Sequence, residues 1–236
     1  MAKDSQIQVK YEQAFDRLGM TGYRYGVLLV VITISLIFQL AAPEADWARL
    51  VTIFFQGLTL LMALVASRVH PWVLRAAVIA VCLAIVGSTA ALVGFGQLGP
   101  TGARLLTALL VALAPISIAR GVFRDFQEHG VTMHTMFGVL CIYLLLGILF
   151  AFLYGAVGAI GSESFFKQQH AAESTKNFLY FSFVTITTVG YGDFTAGTYV
   201  GRSFAIAEAL VGQIYLVTVV AAIVGGLGAS RRASKS

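Results

Sequence analysis

The chain has 236 residues, of which 58% are hydrophobic and 11% charged, with a net charge of +5. Together with a mean hydropathy of +0.83, this excludes an ordinary soluble domain and makes the bilayer the expected solvent. The Lys and Arg residues read as charges flanking membrane spans, with no nucleic-acid partner, and no ligand-spaced His/Cys cluster, phosphate-binding loop or Gly-x-Ser-x-Gly turn supports an enzyme.

Residues 1–22 are polar and lack the apolar core and cleavage site of a signal peptide. Ile7, Tyr11, Phe15 and Leu18 recur at helical spacing, which predicts a short amphipathic helix on the cytoplasmic membrane surface. A span needs roughly 20 apolar residues. The first predicted span is Tyr25 to Pro43 and the second is Leu50 to Ser67, bracketed by Arg49 and Arg68. Pro71 suits a first helical turn, and the third span follows from about Trp72 to Gly96. The fourth, Leu105 to Ala119, is short, contains Pro115 and relies on snorkelling of Arg104 and Arg120. These four make a transmembrane domain over 23–119, followed by a cytoplasmic linker over 120–134 that holds His129 and His134.

A pore domain is predicted over 135–229, with a fifth span from about Thr135 to Ile160 and a sixth from about Arg202 to Gly228. Between them, Asn177 to Gly192 is uncharged but rich in Ser, Thr and Gly. Its first part suits a helix capped by Ser174 or Thr175, too short to cross. A re-entrant hairpin is therefore expected, a half-helix in and an extended leg back, which is tolerated only where protein covers it or it lines a watery path. His170 reads as a solvated residue of the outer turn, and 230–236 as a short cytoplasmic tail.

With the N-terminus inside, the inner segments hold Lys3, Lys10, Arg17, Arg24, Arg68, Arg75, Arg120, Arg124, Arg231, Arg232 and Lys235. The outer segments hold Arg49, Arg104, Lys167, Lys176 and Arg202, and eleven against five predicts cytoplasmic termini. The expected fold class is thus an all-α membrane protein of six transmembrane helices with a re-entrant segment between the fifth and sixth.

If several copies of the extended leg surround an axis, inward carbonyls make stacked oxygen cages that replace a cation's water. Gly190 and Gly192 stand at alternate positions, where left-handed backbone is easiest. The Thr188 hydroxyl adds an oxygen at the inner end, and the half-helix aims its negative C-terminus at the same place. Asp193 either accepts hydrogen bonds that hold the leg extended or concentrates cations at the mouth.

The stretch "TTVGYGD", Thr187 to Asp193, resembles the potassium-channel signature sequence, flanked by an aromatic half-helix and by "YVGR" ending at Arg202. The resemblance covers about Thr135 to Gly228 and implies a homotetramer, since the chain has one copy of the motif. It implies K+ ligands on the carbonyls of Thr188, Val189, Gly190 and Tyr191, with Gly192 completing the selectivity filter and no cofactor besides the permeant K+. Filter support is expected from Thr187, Asp193, Val184, Tyr180 and Glu208. Val184 and Tyr180 stand where some members of the family place a bracing carboxylate and tryptophan. "EALVGQIYLVTVVA", Glu208 to Ala221, is similar to the inner helix of a group of small bacterial channels, which implies a bacterial plasma membrane.

Gly212 falls at the family's inner-helix hinge, and Leu216, Val220 and Val224 on the same wheel are expected to line the cavity. Gly225 and Gly226 read either as a flexible gate or as a tight packing point. Glu208 has two readings: a buried carboxyl hydrogen-bonded behind the half-helix to Thr185 or Thr187, or a proton sensor. The fourth span has no arginine between Arg104 and Arg120, which stand roughly 24 Å apart along a helix at opposite membrane faces, so steep voltage dependence is not expected. Gating by a nucleotide- or calcium-binding domain is not expected from the short stretch "SRRASKS". Candidate stimuli are intrinsic opening, membrane tension or lipid, protons, and an unidentified regulatory subunit. Weakly selective conduction, or a non-conducting sensor or modulatory subunit, are the alternatives.

Overall fold

The computed structural model describes residues 24–43, 45–66, 75, 78–79, 82, 115–124, 127, 132–161, 163–168 and 172–233. Among these, five helices carry the fold: α1 (Arg24–Ala41), α2 (Asp46–Ala66), α3 (Met133–Ile160), α4 (Thr175–Ile186) and α5 (Tyr199–Ala233). A further helical stretch covers 115–124. It runs past Ala119 into the segment expected as a linker. Most of the third and fourth predicted spans, the N-terminal segment, His129 and His170 lie outside the described residues, and so does the side chain of His134; residues 75, 78–79 and 82 of the third are helical.

α3 is the central element. Its N-terminus is closed by a reciprocal cap in which the Thr135 amide donates to the Thr132 hydroxyl at 3.3 Å and the Thr132 amide donates to the Thr135 hydroxyl at 2.7 Å. Within it, Thr135–Ile160 is long and apolar enough to cross a membrane, as is Tyr199–Val219 of α5. The apolar stretches Tyr25–Ala41 of α1 and Phe54–Val65 of α2 are shorter.

The helices assemble around α3, which packs against α1, α4 and α5. α1 turns Tyr25, Leu28, Ile32 and Leu36 inward at spacings of three and four, the stripe that buries one helical face. Residues on several sides of α3 are buried, among them Cys141, Leu145, Ile148, Ala151 and Tyr154, because it has neighbours on several sides. Both cysteines are free, and Cys141 points its thiol at the Tyr25 carbonyl at 3.4 Å. α1 and α2 add a polar contact: Gln56 donates to Gln39 at 3.1 Å, and Gln39 donates back to Ser35 at 2.9 Å. Where lipid is as apolar as leucine, such bonds are among the few directional forces between helices.

α5 departs from the predicted sixth span. It starts three residues earlier, at Tyr199, and remains helical through Ala233, so much of the segment expected as a tail continues the helix. Its inner face carries Gly201, Glu208 and Gly212, while Ile206, Leu210, Ile214 and Val217 stand on the other side, each more than half exposed in the single chain.

Candidate functional site

α4 is a twelve-residue helix, too short to cross a bilayer, and its start follows from its sequence. Ser174 has extended backbone and accepts the Asn177 amide on its side chain, an N-cap. Phe178, Leu179, Phe181, Ser182 and Ile186 face inward, and Phe178 and Phe181 meet Phe165, Phe166 and Tyr154 with ring centroids 5.0–5.9 Å apart.

A helix leaves its last four carbonyls without helical partners. Here all four are taken. Phe183 accepts the Thr187 amide at 3.2 Å and its hydroxyl at 2.5 Å. Val184 accepts the amides of both Val189 and Gly190, at 3.0 and 3.2 Å, and Thr185 accepts that of Thr188 at 2.9 Å. Ile186 accepts the hydroxyl of Tyr143, reaching across from α3 at 3.1 Å.

These bonds also aim the leg that follows. In a trans peptide the carbonyl points opposite to the next amide. Since the amides of Val189 and Gly190 both turn back to Val184, the carbonyls of Thr188 and Val189 turn away from α4, towards open space. The backbone then alternates: Thr188, Gly190 and Gly192 have φ of +58°, +58° and +81°, and the residues between them do not have positive φ. A Cβ on Gly190 or Gly192 would meet nothing within 4 Å in the single chain, so glycine there answers to conformation and not to space. Left-handed Thr188 was not foreseen. For a non-glycine residue it costs on the order of 1–3 kcal/mol, and strain of this kind collects at functional sites.

Thr188 to Asp193 are exposed in the single chain, with Val189 at 51% and Tyr191 at 72%. Beyond them the Tyr180 hydroxyl donates to Asp193 at 2.7 Å, linking the outer end of the leg to its own helix. The chain then zips onto the segment before α4. Lys167 donates to the Thr195 carbonyl at 2.9 Å, Gly197 to that of Phe165 at 2.7 Å, and the Gln168 side chain pairs with the Thr195 amide and hydroxyl. Arg202 donates to the Ala196 carbonyl at 3.1 Å and lies over the Tyr199 ring.

Behind α4, Glu208 is fully buried and meets Ser182 and Tyr154. The partners expected from sequence, Thr185 and Thr187, instead bond back to the carbonyls of Phe181 and Phe183 one turn earlier in their own helix. Gly212 packs directly on the end of α4, where a Cβ would stand 2.5 Å from the Ile186 carbonyl oxygen. Thirteen residues further along α5, a Cβ on Gly225 would meet nothing within 4 Å. Leu216 is half-buried, and the side chains of Val220 and Val224, with the surroundings of Gly226, lie outside the described residues. The structure thus brings together Tyr180, Val184, Thr187 to Asp193, Glu208 and Gly212. It adds Tyr143, Tyr154, Gln168 and Ser182, whose signal was a polar group at helical depth or beside it.

Residues 138–227, from α3 through α5, match a protein-family model described as "Ion channel". No curated protein and no solved structure matches the chain. The match supports an ion-channel family, and together with the apolar helices it points to a membrane protein.

Proposed function

We propose that four copies of this chain surround one axis and conduct K+ passively through a pore whose selective element is Thr188 to Gly192. The observation that carries this reading is the alternation of left-handed Thr188, Gly190 and Gly192 on a leg whose first carbonyls turn away from α4. Stacked across four copies, such carbonyls replace the ion's hydration shell, with the Thr188 hydroxyl at the inner end and Asp193 at the outer mouth. Non-helical backbone at membrane depth needs protein or a watery path on every side. The single chain covers only one side, and the exposed Val189 and Tyr191 side chains call for neighbouring copies.

The wider assembly follows the same reading. Six spans place both termini in the cytoplasm of a bacterial plasma membrane, lipid surrounds the outer helices, and voltage has little leverage because the fourth span has no arginine ladder. The pore-lining face of α5 includes Leu216, with Val220 and Val224 below it and Gly225 and Gly226 near the inner mouth. Gating falls to a stimulus among protons, lipid, tension or a regulatory subunit.

The test is flux from liposomes holding the purified chain, down a potassium gradient and then a matched sodium gradient. Potassium flux without sodium flux is expected. Gly190→Ala forces a side chain into a left-handed position, at a cost of about 1–2 kcal/mol per copy, and is expected to abolish selective flux while the tetramer persists. Equal flux of both ions would favour a weakly selective channel, and a protein that never assembles with itself would favour a modulatory subunit.

A further inference from the structure

Glu208 sits where α3, α4 and α5 meet, with no exposed surface. Three oxygen–oxygen contacts run through it in a row. The Ser182 hydroxyl lies 2.6 Å from the Gly147 carbonyl, the same hydroxyl meets Glu208 Oε1, and Glu208 Oε2 meets the Tyr154 hydroxyl. The row links α3 to α4, α4 to α5, and α5 back to α3.

Each contact needs one proton, and the donors can be counted. The Gly147 carbonyl brings none, and the Ser182 and Tyr154 hydroxyls bring one each. With an ionised Glu208 there are two protons for three contacts. If Ser182 donates to Gly147, its lone pairs face a carboxylate; if it donates to Glu208, they face a carbonyl. Either way two acceptors are pressed together in a water-poor interior, where an unmatched polar group is most expensive. With a protonated Glu208 the count closes. Tyr154 donates to Oε2, Glu208 donates from Oε1 to Ser182, and Ser182 donates to Gly147.

The surroundings agree. Among the described residues, the titratable groups that face Glu208 are Tyr154 and Tyr143 of α3, and α4 offers the Ser182 hydroxyl. None of these is a cation, and an intramembrane carboxylate without one is costly. We infer that Glu208 rests as a neutral carboxylic acid and serves as the proton-donating middle link of a three-helix tie. It is a positioning residue: Ser182 lies two and three residues before the Val184 and Thr185 carbonyls that aim the Thr188 to Gly190 backbone. The consequence for conduction rests on the function proposed above, whereas the protonation state does not.

The experiment is infrared spectroscopy of the full chain, purified and reconstituted at neutral pH, read as a difference between wild type and Glu208→Gln. A protonated-carboxyl C=O band is expected in wild type and absent from the variant. Tyr154→Phe should move that band to higher frequency, because the carbonyl loses its donor. Glutamine presents an N–H to Ser182 and a carbonyl to Tyr154, so Glu208→Gln should assemble and melt like wild type, while Glu208→Ala loses several degrees. No band in the difference spectrum, a band indifferent to Tyr154→Phe, or a glutamine variant as unstable as the alanine one would each overturn the inference. Ion flux is not read in any arm, so a failure of the channel reading leaves these outcomes intact.

Discussion

The two sides of α4 are built on opposite terms. Behind it, every polar group described meets a partner in the same chain: Ser182 with Gly147 and Glu208, Glu208 with Tyr154, and Ile186 with Tyr143. In front of it, the leg from Thr188 to Gly192 is exposed, and a Cβ on its glycines would touch nothing. One chain therefore supplies the whole back wall of the site and only a fraction of its front. The difference teaches that the leg is aimed locally, by amides tied to Val184, while in the proposed assembly its confinement falls to neighbouring copies. Damage to the back should destroy the scaffold, whereas damage to the front should spare assembly and alter what passes.

The hardest blow to the back wall is Gly212→Val. Even a Cβ would stand 2.5 Å from the Ile186 carbonyl oxygen and 2.6 Å from its Cγ1. Backbone cannot yield as a flexible side chain does, so α5 must move away from α4 and take Glu208 with it. Overpacking of this kind costs about 1–3 kcal/mol per copy. We expect loss of the proposed tetramer on size-exclusion chromatography and in cross-linking, not a channel with altered opening. A Gly212→Val protein that assembles normally but gates differently would show that hinge motion, and not close approach, selects glycine here.

A milder cut lies at the outer edge of the front. Tyr180→Phe removes the hydroxyl that Asp193 accepts at 2.7 Å and leaves the ring against Phe194. The helix keeps its packing, so assembly and melting should match wild type. What changes is the outer end of the leg, now free of its own helix, and potassium flux should decay faster after the gradient is imposed, by several-fold. Unchanged decay would mean that the zipped contact of Lys167 and Gln168 with Thr195 holds the mouth without help from Tyr180.

How much of this was legible in the sequence differs by side. The front was readable because its geometry is local. Alternate glycines announce alternate handedness, Ser174 announces a helix start, and the length of the run rules out a crossing. Left-handed Thr188 escaped, since threonine carries no such signal by itself. The back was readable only in part. A carboxylate inside an apolar helix demands a partner, and Glu208 has two, but their identity depends on the rotation of α3 and α4 about their axes. One-dimensional spacing does not fix that rotation. Tyr154 and Ser182 were therefore missed, while Thr185 and Thr187, nearer the leg in sequence, were expected in their place. The same limit explains Gly212, whose contact with Ile186 spans 26 positions that only packing brings together.

The smallest effect is expected at the seam between α1 and α2. Gln56 donates to Gln39 at 3.1 Å, and Gln39 is itself buried against Ser35. Hydrogen bonds between membrane helices average about 0.6 kcal/mol, because each partner finds substitutes when the helices separate. Gln56→Leu removes the donor and leaves Gln39 able to turn its carbonyl to another group. We expect a fall in melting temperature of a few degrees at most, with potassium flux and its selectivity unchanged, since no described contact runs from this seam to the leg. If Gln56→Leu instead abolished flux while the tetramer stayed intact, the α1–α2 pair would be part of the conducting machinery. The division between a scaffold behind α4 and a permeation surface in front of it would then have to be drawn elsewhere.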